Sequence, residues 1–131
     1  MARGLFVYGS LRSGEYNQHL IRPFVQEVSP ARIRGMDLYP VTSAYPGMVR
    51  GEGSVVGEYV QIRPAAWLDA LTALDELEDY YGPGHPENHY ERVLLPVETE
   101  SGIRLAYTYL WVRGVADLDP LPGGDWVAYR R

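Results

Sequence analysis

Residues 65–78 read AAWLDALTALDELE, and their apolar side chains recur with the spacing of an amphipathic helix. Pro64 stands beside the first turn, where the N–H group that proline lacks would have no helical partner. On a helical wheel of about 100° per residue, the apolar side chains form one stripe. This stripe contains Trp67, Leu71, Leu74 and Leu77. The stretch therefore predicts one main helix with a buried face.

Extended segments lie on both sides of this helix. They are alternating segments or runs of β-branched and aromatic side chains, and both patterns favour β-strands. The predicted strands cover residues 5–8, 32–38, 55–62, 90–99 and 103–112, with a turn that feeds a short strand within 44–49. The last two strands form a hairpin pattern around residues 100–102. Several strands with one central helix indicate an α+β fold, built as a small, partly closed β-barrel.

Two further regions carry local signals. Residues 17–25 predict one or two helical turns that Pro23 interrupts. The tail from Asp117 contains several prolines and glycines and is expected to be irregular, with Trp126 pinning it to the core. The chain has no internal repeat or linker-like stretch, so its 131 residues predict a single domain, 1–131.

The composition excludes several classes of chemistry. The chain has no cysteine, which excludes thiol nucleophiles, thiolate metal sites and disulfides. All 12 cationic side chains are arginine, and without lysine neither a Schiff-base enzyme nor a P-loop nucleotide site is expected. The formal net charge of -5 argues against a nucleic-acid partner, because such proteins gain affinity from a basic face.

The sequence also bears on location. No apolar run approaches the roughly 20 residues that cross a bilayer, so no membrane partner is expected. The apolar run at residues 5–8 is too short for a signal peptide. A cytoplasmic location is the default expectation, and the sequence makes no prediction about oligomeric state.

Glu78 is the acidic residue that the predicted helix directs towards the core. It falls near ~20° from Trp67 on the helical wheel, inside the apolar stripe, whereas Glu76 falls near ~180°. Apolar surroundings and the negative end of the helix dipole are both expected to raise the pKa of Glu78, as general acid/base catalysis requires. The alternative is that Glu78 turns out to water at a frayed helix end or pairs with an arginine such as Arg92.

A glycine-containing loop, YGSLRSG at residues 8–14, directly follows the first strand. Glycine allows a sharp turn or a close backbone approach, and successive N–H groups in such a turn can bind an anion. Ser10 is a candidate hydroxyl donor and Arg12 a candidate cation at the rim. The alternative is an ordinary strand-to-loop turn.

Other candidate groups are weaker. Ser10 as a nucleophile would need a histidine base, and the sequence orients none of the three histidines towards it. His85 and His89 are four residues apart, but Gly84 and Pro86 make a helical metal site improbable, so no metal is expected. Tyr109 lies in the alternation of the last strand, and its side chain is a candidate to reach a cavity.

The order of these motifs resembles the gamma-glutamylcyclotransferase-like family. The resemblance covers nearly the whole chain and is carried by YGSL at 8–11, PGMV at 46–49, VGEY at 56–59, LDELE at 74–78 and YER at 90–92. The closing GGDW at 123–126 is similar to the tail of small bacterial members. Each motif is weak alone, and their order and spacing make the resemblance specific.

The resemblance implies a small mixed β-barrel with one main helix, whose cavity is opened by the YGSL loop. It implies an enzyme that releases 5-oxoproline from a γ-glutamyl amine or γ-glutamyl amino acid, with no cofactor. By motif match, Glu78 is the catalytic residue, and Tyr8, Gly9, Ser10 and Leu11 bind the substrate. The stretch 79–89 is longer than in the plainest members and is expected to shape the mouth of the cavity.

Two other functions remain open from the sequence. One is a non-catalytic module that binds a small carboxylate on the same fold. The other is an enzyme with paired carboxylates, similar to a glycosidase, that would use Asp75 and Glu78. These two acids lie on adjacent turns of the predicted helix, while the remaining acids nearby resemble a solvated face.

Overall fold

A computed structural model describes residues 3–130 of the chain. Its strands are β1 (Gly4–Val7), β2 (Val25–Tyr39), β3 (Gly47–Ile62), β4 (Tyr90–Thr99) and β5 (Gly102–Trp111). Its α-helices are α1 (Trp67–Leu77) and α2 (Trp126–Arg130). Short 3₁₀ turns occupy Gln18–Leu20, Arg22–Phe24, Pro64–Ala66 and Pro122–Gly124.

The five strands form a closed barrel in the order β1-β3-β2-β4-β5. β1 runs antiparallel to β3 and parallel to β5, so the barrel is mixed. Neighbouring strands β2 and β4 are joined near Ala31 and Arg32, which pair with Thr99 and Glu98. The predicted α+β fold, a small mixed β-barrel with one main helix, is therefore confirmed.

Strand β1 is buried on both faces, which explains why its sequence is apolar without alternation. Phe6 packs in one hydrophobic cluster, which also contains Trp126 from the end of the chain. Leu5 and Val7 pack in a second cluster, together with Leu74 of α1. Alternate side chains of one short strand thus connect the barrel to both the helix and the C-terminal tail.

Strands β2 and β3 are longer than their patterns predict. The predicted turn at 44–46 precedes β3, but the short strand expected after it and the strand at 55–62 are one continuous strand. The glycines at 51 and 53 look like a break in the sequence, yet they lie beside the side chain of Asp37 on β2. Asp37 Oδ1 accepts a hydrogen bond of 3.0 Å from the Gly53 N–H group. The two glycines therefore leave room for the Asp37 side chain on the neighbouring strand, although the local sequence alone suggests a turn at this point.

The ends of the other elements differ modestly from expectation. The predicted helix 65–78 begins as the 3₁₀ turn at Pro64–Ala66, continues as α1, and has Glu78 as its C-cap residue. One or two helical turns are expected within 17–25, and two 3₁₀ turns are present; Pro23 lies at the start of the second turn and does not interrupt it. The predicted hairpin is formed by β4 and β5.

The expectation of an irregular tail is wrong for its last part. Trp126 is buried as expected, but it begins helix α2. Asp125 precedes this helix and its Oδ1 accepts a 3.2 Å hydrogen bond from the Ala128 N–H group. A side-chain acceptor at this position satisfies an N–H group that would otherwise lack a helical partner, so Asp125 caps the helix.

Residues 3–130 include no helix with both the length and the apolar character needed to cross a membrane.

Gly57→Ala tests the close contact between β1 and β3. A Cβ atom at Gly57 would collide with the Val7 carbonyl oxygen and would lie 2.8 Å from Phe6 Cζ. Overpacking of this kind costs about 1–3 kcal/mol, and we expect the free energy of unfolding to fall by that amount in denaturant titrations. Glu52→Ala, at an exposed position of β3, is the control and should change it by less than about 0.5 kcal/mol. Equal stabilities for the two variants would contradict the close-contact argument.

Candidate active site

A cavity of about 400 Å³ opens between the loop after β1 and the C-terminal end of α1. Tyr8, Gly9, Ser10 and Leu11 line it on one side, and Leu74, Leu77, Glu78 and Asp79 on another. The remaining wall comes from Leu5, Phe6 and Val7 of β1, from tyrosines of β4 and β5, from the turn at 44–46, and from Tyr16, Asn17, His89 and Arg130. The structure thus places the predicted catalytic residue, Glu78, and the predicted substrate-binding residues around one cavity; the latter are Tyr8, Gly9, Ser10, Leu11 and Tyr109. The candidates Arg12 and Asp75 are not among the lining residues.

The loop after β1 presents backbone donors. In the part of the chain that the structure describes, the N–H groups of Gly9, Ser10 and Leu11 have no hydrogen-bond acceptor. A side chain at Gly9 would press on Pro46, because its Cβ would lie 2.9 Å from Pro46 Cδ. Ser10 Oγ accepts a 2.9 Å hydrogen bond from Asn17 Nδ2, which leaves the hydroxyl hydrogen to donate elsewhere. This segment can therefore bind a negatively charged or carbonyl oxygen.

Arg12 does not supply a cation to the rim of this loop, contrary to expectation. Its Nη1 donates a hydrogen bond of 2.8 Å to Asp125 Oδ1, and the two form an ion pair. Arg12 thereby links the loop after β1 to the residue that caps α2. Its role in the structure is to hold the C-terminal helix against the barrel.

Glu78 is held in place by a Schellman motif at the end of α1. The Asp79 N–H group donates to the Glu76 carbonyl at 3.3 Å, and the Tyr80 N–H group donates to the Asp75 carbonyl at 2.9 Å. This pair of bonds is the pattern that satisfies the last carbonyls of a helix. Asp79 occupies the left-handed position of the motif, with φ of 50°, where glycine is most common. Glu78 is therefore part of an ordered helix end, not of a frayed one.

The Glu78 carboxyl group lies in surroundings that favour its neutral form. Burial raises the pKa of Glu78 from 4.5 to about 8, and the nearby charge of Asp79 adds to this increase. No side chain or backbone group of residues 3–130 makes a hydrogen bond to the carboxyl group. A carboxyl group whose pKa lies near neutrality can both accept and release a proton, which is the property that a general acid/base needs.

Three buried tyrosines surround the same cavity with their hydroxyl groups already donating. Tyr8 donates to the Tyr109 carbonyl oxygen at 2.7 Å, and Tyr90 donates to the Pro46 carbonyl oxygen at 2.6 Å. Burial raises the pKa of Tyr8, Tyr90 and Tyr109, and the charge of Glu78 contributes to each increase. These side chains stay neutral at physiological pH. Their aromatic rings make the surroundings of Glu78 largely apolar.

Asp75 is occupied by two partners and is not a second acid in the cavity. Its Oδ1 accepts a 2.6 Å hydrogen bond from Tyr109 Oη, and its Oδ2 accepts one of 2.5 Å from Arg92 Nη1. Arg92, considered from the sequence as a partner for Glu78, therefore pairs with Asp75 instead. This arrangement argues against a paired-carboxylate mechanism, because one of the two acids already holds a cation and a hydroxyl group.

The segment between α1 and β4 folds back on itself. The buried side chain of Asn88 accepts from the Tyr81 N–H group at 2.7 Å and donates to the Gly82 carbonyl at 2.8 Å. The two ends of the segment meet where His89 Nδ1 lies 3.4 Å from Asp79 Oδ2. Both end residues line the cavity, so the two ends of this segment form part of its wall. That the segment shapes the mouth of the cavity stays a prediction. Among residues 3–130, no three histidine or acidic side chains are grouped as metal ligands would be.

The sequence did not single out several of the polar lining residues as site residues, among them Asn17, Asp79, Tyr90 and Arg130. Asp79 and Tyr90 stand beside or inside the LDELE and YER motifs, so proximity to those motifs was a usable signal. Asn17 and Arg130 carry no local signal, because they reach the cavity only through the fold.

Comparison with known proteins agrees with this arrangement. The family described as "Gamma-glutamyl cyclotransferase, AIG2-like" matches residues 5–128. The chain is 33% identical over 126 residues to a protein of Niallia circulans named gamma-L-glutamyl-butirosin B gamma-glutamyl cyclotransferase, covering 96% of this chain and 76% of that protein. It is 34% identical over 123 residues to the gamma-glutamylcyclotransferase family protein YtfP of Escherichia coli, covering 94% of this chain and 95% of YtfP.

Solved structures show the same fold. The solution structure of YtfP matches with a TM-score of 0.64 and 33% identity, over 98% of this chain and 99% of that one. The crystal structure of YkqA from Bacillus subtilis matches with a TM-score of 0.69 and 26% identity; the match covers 99% of this chain but only 41% of YkqA.

The fold and the sequence matches together define a cyclotransferase-type enzyme. The chain belongs to the gamma-glutamyl cyclotransferase, AIG2-like family.

Glu78→Gln tests the raised pKa through the pH dependence of stability. Between pH 4.5 and about 8 the folded protein holds a proton on Glu78 that the unfolded chain has released. Rising pH therefore favours the unfolded chain, by up to about 1.4 kcal/mol per pH unit, until Glu78 ionises in the folded state as well. Denaturant titrations from pH 5 to 9 should show the parent losing stability relative to the glutamine variant across this window. Parallel stability curves would contradict the shifted pKa.

Asp79→Asn tests the second cause of that shift. Asparagine tolerates the left-handed conformation of Asp79 but carries no charge, so the pKa of Glu78 should fall. In the same titrations, the loss of stability with rising pH ends where Glu78 ionises in the folded protein, and this pH should move to lower values. Asp69→Asn, at an exposed position in the first turn of α1, is the control and should leave that pH unchanged. An unchanged or higher value for Asp79→Asn would show that Asp79 does not act on Glu78.

Proposed function

We propose that the protein releases 5-oxoproline from a γ-glutamyl amine or a γ-glutamyl amino acid, with Glu78 as the general acid/base. The observation that carries this proposal is the Glu78 carboxyl group, which lines the cavity without a hydrogen-bond partner among residues 3–130 and has a pKa of about 8. The loop at 9–11 lines the same cavity and offers backbone donors. The family assignment supports the same class of reaction.

The proposed reaction is intramolecular and needs little catalytic machinery. The α-amine of the substrate attacks its own γ-carbonyl carbon, a five-membered ring forms, and the bond to the leaving amine breaks. Neither a nucleophile from the protein nor a metal takes part in this bond exchange. Well-oriented intramolecular reactions gain up to about 7–11 kcal/mol, so a cavity that holds the glutamyl chain folded supplies much of the rate enhancement.

Proton transfer is the part of the reaction that requires Glu78. The α-ammonium group of the substrate cannot attack until it loses a proton, and the amide nitrogen leaves poorly until it gains one. A bound ammonium group favours the ionised form of Glu78 by opposite charge, which prepares the carboxylate to accept that proton. Glu78 then delivers that proton to the leaving nitrogen and is a carboxylate again. After the attack the ring nitrogen still holds one proton more than the lactam needs, and Glu78 passes this second proton to the leaving amine, which departs as an ammonium group.

The loop after β1 is proposed to bind the negatively charged part of the substrate. The N–H groups of Gly9, Ser10 and Leu11 are suited either to the α-carboxylate or to the oxyanion that forms at the γ-carbonyl. Tyr8 and Tyr109 contribute the apolar wall beside Glu78. The Niallia circulans relative, whose name describes a cyclotransferase acting on a γ-glutamyl compound, supports a γ-glutamyl substrate here.

Glu78→Gln should slow 5-oxoproline release by about 10²–10⁴-fold, because glutamine cannot exchange the proton. The measurement is product formation from a panel of γ-glutamyl amines and γ-glutamyl amino acids, with unchanged circular dichroism as evidence of folding. Glu76→Gln, an exposed residue on the same helix, is the matched control and should retain the parent rate within about twofold.

The panel also separates an enzyme from a binding module. If the parent protein binds members of the panel but forms no 5-oxoproline, the fold serves as a carboxylate-binding module and the catalytic proposal fails. If Glu78→Gln releases the product at the parent rate, the protein is an enzyme but Glu78 is not its acid/base.

A further inference from the structure

Arg130 is the one lysine or arginine side chain that lines the cavity among residues 3–130. The other lining groups that can carry charge are Glu78, Asp79 and His89. The Arg130 side chain is 45% exposed, so it lies at the opening of the cavity and not at its buried end beside Glu78. A positively charged group at the opening has no role in the proton transfers proposed for Glu78.

Neighbouring side chains hold the Arg130 guanidinium group in place, yet its N–H groups make no hydrogen bonds within the described part of the chain. It lies 5.8 Å from the centre of the Trp126 ring, a side chain that is only 1% exposed and anchors α2. Its Nη1 is 3.6 Å from Glu15 Oε1, which is an ion pair longer than a hydrogen bond. Within the described part of the chain Arg130 makes no hydrogen bond from its side chain, so its N–H groups can bind a ligand.

The chemistry of ring closure decides which part of a substrate meets Arg130. The α-amine, α-carboxylate and γ-carbonyl all belong to the glutamyl group, which must fold compactly beside Glu78 and the loop at 9–11. The amine that leaves must point towards the opening, since it departs while the ring forms. A guanidinium group at that opening therefore faces the substituent on the leaving amine, and carboxylate is the substituent whose geometry it matches best.

We propose that Arg130 makes the enzyme selective for γ-glutamyl substrates whose leaving amine carries a carboxylate, which are γ-glutamyl amino acids and not γ-glutamyl amines. This inference rests on the proposed function and narrows its substrate class. It assigns to the C-terminal helix a specificity-determining residue that contacts the substrate away from the reacting atoms.

The test compares two substrates that differ only in that carboxylate: γ-glutamyl-alanine and γ-glutamyl-ethylamide. The parent should favour γ-glutamyl-alanine in kcat/KM by about tenfold, the effect of one charge-assisted hydrogen bond. In Arg130→Met, which keeps an apolar side chain against Trp126, this ratio should fall about tenfold, towards one.

Arg104→Met is the matched control. Arg104 lies over the Tyr59 ring, with its Cζ 4.5 Å from the ring centre, and is not among the residues that line the cavity. The variant loses the same charge and a similar aromatic contact, and it should keep the parent ratio. If Arg130→Met lowers both substrates equally, Arg130 binds the glutamyl α-carboxylate and the inference is wrong. An unchanged ratio in Arg130→Met also overturns it.

A failure of the proposed function is distinguishable from a failure of this inference. If the parent protein forms no 5-oxoproline from either compound, calorimetric titration replaces the rate measurement. Binding of γ-glutamyl-alanine that is tighter than binding of γ-glutamyl-ethylamide, with the difference lost in Arg130→Met, would support the role of Arg130 without turnover. Equal binding of the two compounds to the parent would overturn it.

Discussion

The barrel closes through β1, a strand of only four residues that pairs with β3 on one side and β5 on the other. Because its two faces are buried in different hydrophobic clusters, its side chains connect the barrel interior to α1. The loop that follows β1 lines the cavity, and its position depends on this pairing. The N–H groups of residues 9–11, which have no acceptor among residues 3–130, lie in the loop that begins where this paired strand ends.

The electrostatics of the cavity depend on which acids are paired and which is not. Asp75 accepts hydrogen bonds from Arg92 and Tyr109, so its charge is compensated. Glu78, three residues later at the C-cap of the same helix, has no such partner within residues 3–130 and lies beside buried tyrosines. A buried carboxyl group without a partner destabilises the folded protein when it is ionised, because desolvation raises the free energy of its charged form. The cost to stability and the capacity to exchange a proton near neutral pH therefore have the same cause.

The C-terminal residues contribute to the cavity through contacts that span the whole chain. Asp125 pairs with Arg12, which lies 113 residues away in sequence, and Trp126 is buried in the cluster that contains Phe6. These contacts seat α2 beside the loop after β1, and they bring Arg130 to the opening. A tail that looks irregular in the sequence is thus part of the wall of the cavity.

Local patterns determined the main helix, the inward position of Glu78 on it, the glycine loop after the first strand and the β4–β5 hairpin, because each depends on residues close together in sequence. The order of the motifs also determined the family. Tertiary structure alone decided that Arg92 forms its ion pair with Asp75, and that the glycines beside Asp37 belong to a strand. It also decided that the charge of Asp79 helps to raise the pKa of Glu78. It also brought Asn17 and Arg130 to the cavity. Most of these outcomes depend on contacts between distant segments, and such contacts leave no periodic trace in the sequence.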